Sequence, residues 1–198
     1  MGVVDQLQKF GVLKTPLLIE AFQKVKRLDF LPEDLRANAE ADHPLPIGFG
    51  QTNSQPYTVA FMLELLELES GQQVLDVGSG SGWTTALLAQ AVGKNGSVIG
   101  VERVPQLVEF GSQNLDKYKF RNAAIIQSLE IFGWPDEGPY DRILVSAEAV
   151  EIPRELIEQL IDGGVMVIPV GNSILKVIKQ GKDLKTTEYP GFVFVPLI

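Results

Sequence analysis

The chain has 198 residues, 45% of them hydrophobic and 21% charged, which suits a folded protein and not a disordered one. Its formal charge of −8, from 17 basic and 25 acidic residues, repels phosphate backbones, so no nucleic-acid partner is expected. With no cysteine and one histidine, disulfides, thiolate metal sites, a cysteine nucleophile and multi-histidine metal centres are excluded, and no metal is expected.

The opening residues, MGVVDQLQKFGV, carry charge early and do not read as a signal peptide. No stretch approaches the roughly 18 apolar residues of a membrane-spanning helix. The expectation is a cytoplasmic, monomeric protein without membrane contact.

The first third reads as helices and loops. Residues 15–27 (TPLLIEAFQKVKR) place Leu18, Phe22 and Val25 at helical spacing, with Thr15 as N-cap and Pro16 in the first helical position. Within them KVKR (24–27) is the densest basic stretch, and it is too short for a nucleic-acid patch. Residues 41–54 (ADHPLPIGFGQTNS) are rich enough in proline and glycine to predict a loop, and a helix is predicted over 56–67.

From residue 72 short β-branched runs alternate with amphipathic stretches. Strands are predicted at 73–77, 97–102, 123–127, 142–146 and 165–170, with helices near 83–92, 105–118 and 153–160. Pro153 suits the first turn of the last helix and Gly163-Gly164 its exit. Residues 175–180 and 192–197 read as antiparallel strands joined through Gly181. The fold class is α/β: a Rossmann-like, mostly parallel sheet with antiparallel C-terminal strands, preceded by N-terminal helices. One domain of residues 1–198 is expected, with 1–70 supplying helices and a substrate loop and 71–198 the cofactor-binding sheet.

The segment VLDVGSGSGW (74–83) runs an apolar strand into Gly78, Gly80 and Gly82, with a helix directly after. Such a turn lets a ligand approach the backbone, and a helix N-terminus offers unpaired N–H groups to an anion. A dinucleotide fingerprint would need its third glycine at position 83, which is Trp83. Just before the loop, still at the strand end, stands Asp76, unwelcome beside a pyrophosphate but useful near the cationic amino group of a methionine moiety. The next strand ends in Glu102, 20 residues past Gly82, where a carboxylate accepts hydrogen bonds from ribose hydroxyls. These charges match S-adenosyl-L-methionine, with S-adenosyl-L-homocysteine as product.

Here the chain resembles the protein-L-isoaspartate O-methyltransferases. The resemblance rests on PLPIGFGQTNSQP (44–56) and VLDVGSGSGW (74–83). It extends through VER (101–103), GWP (133–135), PYD (139–141), EIP (151–153), IPVG (168–171) and FVPL (194–197). It implies methyl transfer to the free α-carboxylate of an isoaspartyl residue in a damaged protein or peptide, after which the ester collapses to a succinimide. It also implies that Ser54 hydrogen-bonds the reacting carboxylate, with Thr52 beside it. Cofactor contacts are implied for Gln51, Ser79 and Arg103 in addition to Asp76, the three glycines and Glu102. Without the resemblance, Ser54 reads equally as a helix cap, and His43 reads as a loop residue.

Three positions depart from the family pattern. An aspartate expected near the adenine amino group is replaced by Leu129, with Glu130 adjacent as a substitute. The signature's usual isoleucine is Asn53. After the fourth strand Glu148 stands in a normally small-residue stretch, where it would face the pocket, point to solvent, or pair with Arg142 or Arg154. These leave two alternatives: a related O-methyltransferase for another peptide or small-molecule carboxylate, and a non-catalytic cofactor-binding relative.

Overall fold

A computed structural model describes residues 2–128 and 131–197. Helices at Val3–Lys9 (α1) and Pro16–Lys24 (α2) lead into 3-10 turns at Arg27–Phe30 and Glu33–Asn38. Short strands Leu45–Gly48 (β1) and Gln51–Asn53 (β2) then form an antiparallel hairpin before the helix Pro56–Leu66 (α3). The sheet follows: Gln73–Val77 (β3), Ser97–Glu102 (β4), Ala123–Gln127 (β5), Tyr140–Val145 (β6), Leu160–Val170 (β7), Ser173–Gln180 (β8) and Asp183–Pro190 (β9). Helices Trp83–Val92 (α4), Pro105–Asp116 (α5) and Arg154–Glu158 (α6) lie between them.

The strand order is β5-β4-β3-β6-β7-β8-β9, parallel from β5 to β7 and antiparallel for the last two. The chain starts at the centre with β3, moves outward through β4 and β5, then returns to β6 on the other side of β3. The crevice at the carboxyl ends of β3 and β6 is therefore the topological switch point, where open α/β sheets bind ligands. One apolar layer packs α2, α3 and α4 on one face of the sheet, around Phe22, Leu63, Leu87 and Val74. The other face buries Leu75, Tyr140, Ile143 and Met166 with α6.

Several expectations are corrected. Residues 41–54 are not all loop, because β1 and β2 pair Leu45 with Asn53 and bury Leu45 and Ile47. The last strand is β9, not 192–197. That tail runs beside Glu148 instead, with Glu148 N–H donating to Val195 O at 2.7 Å and Leu197 N–H to Glu148 O at 2.7 Å. Gly163-Gly164 does not end a helix but sits inside β7, where the pairing with β6 slips. The second helix stops at Lys24, and its Thr15 hydroxyl donates to Glu64 Oε2 at 2.7 Å and makes no cap bond.

Candidate active site

The sheet's carboxyl ends enclose a cavity of about 390 Å³. Its floor is the turn after β3, Gly78–Ser81 by number, and the first turn of α4. One flank is residues 101–105, the end of β4 and the loop after it, and the opposite flank is Ser146 and Ala147 after β6. The hairpin roofs it with Ile47, Gln51, Thr52, Asn53 and Ser54. Ser128, Phe132 and the tail residues Val195 and Leu197 complete the wall. Of the residues expected from sequence, Gln51, Thr52, Ser54, Gly78, Ser79, Gly80, Glu102 and Arg103 all reach this surface. Asp76 and Gly82 lie behind it, and Leu129 and Glu130 lie outside the described residues.

The glycine amides of the turn after β3 are already engaged. Gly78 and Ser79 N–H donate to Val101 O at 2.9 and 3.1 Å, and Gly82 N–H to Ser79 O at 2.8 Å. Gly80 N–H donates to Glu102 Oε2 at 2.9 Å, while Glu102 Oε1 accepts from Val104 N–H at 2.9 Å. The amides left for an anion are therefore those of α4's first turn, the helix N-terminus to which the sequence pointed. Each Glu102 oxygen retains a lone pair for a ribose hydroxyl. Two glycines are required by close approach. A Cβ at Gly82 would stand 2.9 Å from Gly111 O, and one at Gly111 would stand 2.8 Å from Gly80 O, so α5 can press against the turn.

Asp76 is fully buried. Thr84 and Thr85 both donate to its Oδ2 at 2.7 Å, leaving Oδ1 without a partner. Burial pushes its carboxyl up to about 6, the threonine bonds oppose this, and Glu102 adds a small upward push. Two further buried polar atoms without protein partners, Ser79 Oγ and Trp83 Nε1, belong to residues lining the cavity. Two orphaned polar atoms on residues lining one cavity, with a third on Asp76 behind its floor, mark a site built for a polar ligand.

Sequence reasoning missed Arg27, which it read only as the end of a short basic run. Its guanidinium is buried, with Nε donating to Asn53 Oδ1 at 2.7 Å and the other nitrogens reaching the carbonyls of Ala41, His43 and Ser54 at 2.8, 2.8 and 3.0 Å. It also lies 5.5 Å from the Trp83 ring centroid. Burial pulls its pKa down to about 10, against the pull of Asp42 and Glu40, so it stays charged at neutral pH. The available signal was its spacing, three residues past the helix end and before Phe30 and Leu31, both buried.

A second cavity, about 260 Å³, adjoins the first. Thr52, Ser54, Ser146 and Val195 line both. The rest of its wall is Pro44, Gln55, Thr58, Val193 and Phe194. Ser54 is not the cap of α3, because Gln55 occupies that position. Glu148 lines neither cavity and pairs with neither Arg142, which holds Glu67 O, nor Arg154, which pairs with Glu158. His43 is exposed, and its ring bonds Pro44 O at 3.0 Å, outside both cavities.

A parallel sheet with this strand order, a glycine turn at the switch point and a ribose-type carboxylate at the end of the adjacent strand define a Rossmann-like methyltransferase. The chain belongs to the protein-L-isoaspartate(D-aspartate) O-methyltransferase family, whose model matches residues 1–198. The protein-L-isoaspartate O-methyltransferase of Methanothrix thermoacetophila is 46% identical over 91% of this chain and 87% of its own length. That of Methanopyrus kandleri is 44% identical over 99% and 89%. The crystal structure of a Plasmodium falciparum member in complex with S-adenosyl-L-homocysteine superposes with a TM-score of 0.86 at 28% identity, covering 99% of this chain and 96% of that one.

Proposed function

We propose that this chain transfers a methyl group from S-adenosyl-L-methionine to the free α-carboxylate of L-isoaspartyl residues in proteins or peptides. The observation that carries this is the wall of Thr52 and Ser54 shared by two cavities, one built for the cofactor and one for the acceptor. The cofactor supplies a methyl group on a sulfonium, which leaves as a thioether when the carboxylate oxygen takes the methyl.

The larger cavity suits that cofactor. Glu102 would hold the ribose, Val104, Pro105 and Phe132 would flank the adenine, and Arg103 would cover its edge. The first-turn amides of α4 and the Ser79 hydroxyl would take the carboxylate. Asp76, with its unpartnered oxygen, would answer the cationic groups from beneath the turn.

The smaller cavity explains the acceptor. A carboxylate is ionised at neutral pH, so the reaction needs no strong general base. None of the residues lining this cavity is titratable, and Thr52, Ser54, Thr58 and Ser146 offer hydroxyls. That choice has a kinetic logic. Attack on the sulfonium discharges the carboxylate, so a lysine or arginine ion pair would stabilise the ground state more than the transition state. Neutral hydroxyls orient the oxygen at smaller cost, leaving alignment as the main source of acceleration.

The test is product formation with two copies of one peptide, differing only in an isoaspartyl or aspartyl linkage. Methyl transfer is expected to the isoaspartyl copy alone. In Ser54→Ala, kcat should fall about 10- to 100-fold, the value of a hydrogen bond to a charged group. Equal turnover of both peptides, or none with either, would refute the proposal.

A further inference from the structure

Asn53 stands where the family signature carries isoleucine, yet it is buried at 4% exposure. A buried amide is costly unless its hydrogen bonds are made. Here they are: Oδ1 accepts from Arg27 Nε at 2.7 Å, and Nδ2 donates to Ser81 Oγ at 3.1 Å. Asn53 thus joins the hairpin to the glycine turn.

Both ends of this bridge are fixed. Arg27 is anchored by carbonyls on two separate stretches of the chain, Ala41 and His43 on one and Ser54 on the other. Ser81 is held from the opposite side, where the buried Asn114 on α5 donates to its carbonyl at 3.0 Å. A link between two immobile groups transmits position, and a buried polar link with one satisfied geometry sets register more sharply than apolar contact does. The residues on either side of Asn53 are Thr52 and Ser54, the shared wall of the two cavities.

We infer that Asn53 is a positioning residue that locks the acceptor-side hydroxyls in register with the cofactor turn through an Arg27–Asn53–Ser81 bridge. It touches neither reacting atom. It fixes where Ser54 stands relative to the methyl donor. This rests on the assignment of Ser54 to the acceptor carboxylate.

A double-mutant cycle tests it with S-adenosylmethionine and the isoaspartyl peptide, using Asn53→Ala, Ser81→Ala and the double variant. Calorimetric titration with S-adenosylhomocysteine counts competent sites, so kcat is read per folded site. Each single change should lower kcat about three- to tenfold, with little change in the peptide KM. The double variant should be no slower than Asn53→Ala alone, since either change breaks the same bridge. Asn53→Asp should recover most of the rate. Its carboxylate still accepts from Arg27, and the Ser81 hydroxyl can turn to donate to it. A merely structural role would lower the melting temperature and the number of competent sites without this split. Additive losses, or full kcat in Asn53→Ala, overturn the bridge while an impaired Ser54→Ala leaves the site standing. An unimpaired Ser54→Ala overturns both.

Discussion

Replacing Asp76 by asparagine should stabilise the cofactor-free protein while weakening its function. Asp76 has no exposed surface, and its carboxyl is raised from 3.8 to about 6, first by burial. Between those pH values the folded chain holds a proton that the unfolded chain has released, so stability falls as pH rises through the interval and is level above it. At about 1.4 kcal/mol per pH unit, ionised Asp76 costs the fold ~3 kcal/mol at neutral pH. Asparagine keeps the oxygen that Thr84 and Thr85 bond but leaves an amide N–H where Oδ1 has no partner, a penalty of about 1–2 kcal/mol. The net gain of about 1–2 kcal/mol corresponds to a melting temperature higher by roughly 2–8 °C in a chain of this size. Thermal melts of both proteins from pH 3.5 to 8 would read it. The difference should favour aspartate or vanish near pH 3.5, grow toward pH 6, then stay constant. A difference that ignores pH, or a less stable asparagine variant at pH 7.5, would refute the reasoning. Cofactor affinity should move the other way, because the variant loses a charge that attracts the cofactor's cationic groups.

Three further outcomes are expected. Glu102→Gln should weaken S-adenosylhomocysteine about 10-fold or more by calorimetry, since a neutral amide replaces charge-assisted acceptors and offers an N–H to Gly80 or Val104, themselves donors. Gly111→Ala should lower both stability and cofactor affinity, because its methyl group meets Gly80 O at 2.8 Å and Ile125 at 2.9 Å; an unchanged melting temperature and affinity would show that α5 can retreat freely. Arg27→Met should destabilise by about 3–5 kcal/mol in chemical denaturation, as several buried carbonyls and Asn53 lose their donor together.

Where the sequence was legible, the reason was periodicity. The strands β3, β4 and β5 are short apolar runs with β-branched residues, so they fall where those runs lie. The glycine turn was legible because Gly78, Gly80, Gly82 and Glu102 each carry a backbone or charge constraint that few residues meet. The β9 strand was not, because DLKTTEYP lies on the sheet edge with nearly every residue exposed and so shows no apolar alternation. The apolar FVFVPL tail drew that reading instead, although what it does is flank both cavities. Arg27 was hidden for the opposite reason. A charged residue in a basic run looks solvated, and only the convergence of carbonyls from residues 41, 43 and 54 makes its burial affordable. That Val101 O and Glu102 engage the amides of the glycine turn was not legible, because hydrogen bonds to a neighbouring strand leave no trace in the sequence.

Ser54 lines both cavities, so the two meet at this residue. A single molecule that carries an adenosyl thioether on one side and an isoaspartyl carboxylate on the other, joined by a linker of about one carbon, would therefore fill both at once. Its second half would bind at the high effective concentration of a tethered group, so its affinity should exceed that of either half by orders of magnitude. Lengthening the linker would push one half out of its cavity and forfeit the gain, which makes linker length a ruler for the distance over which the methyl group has to travel.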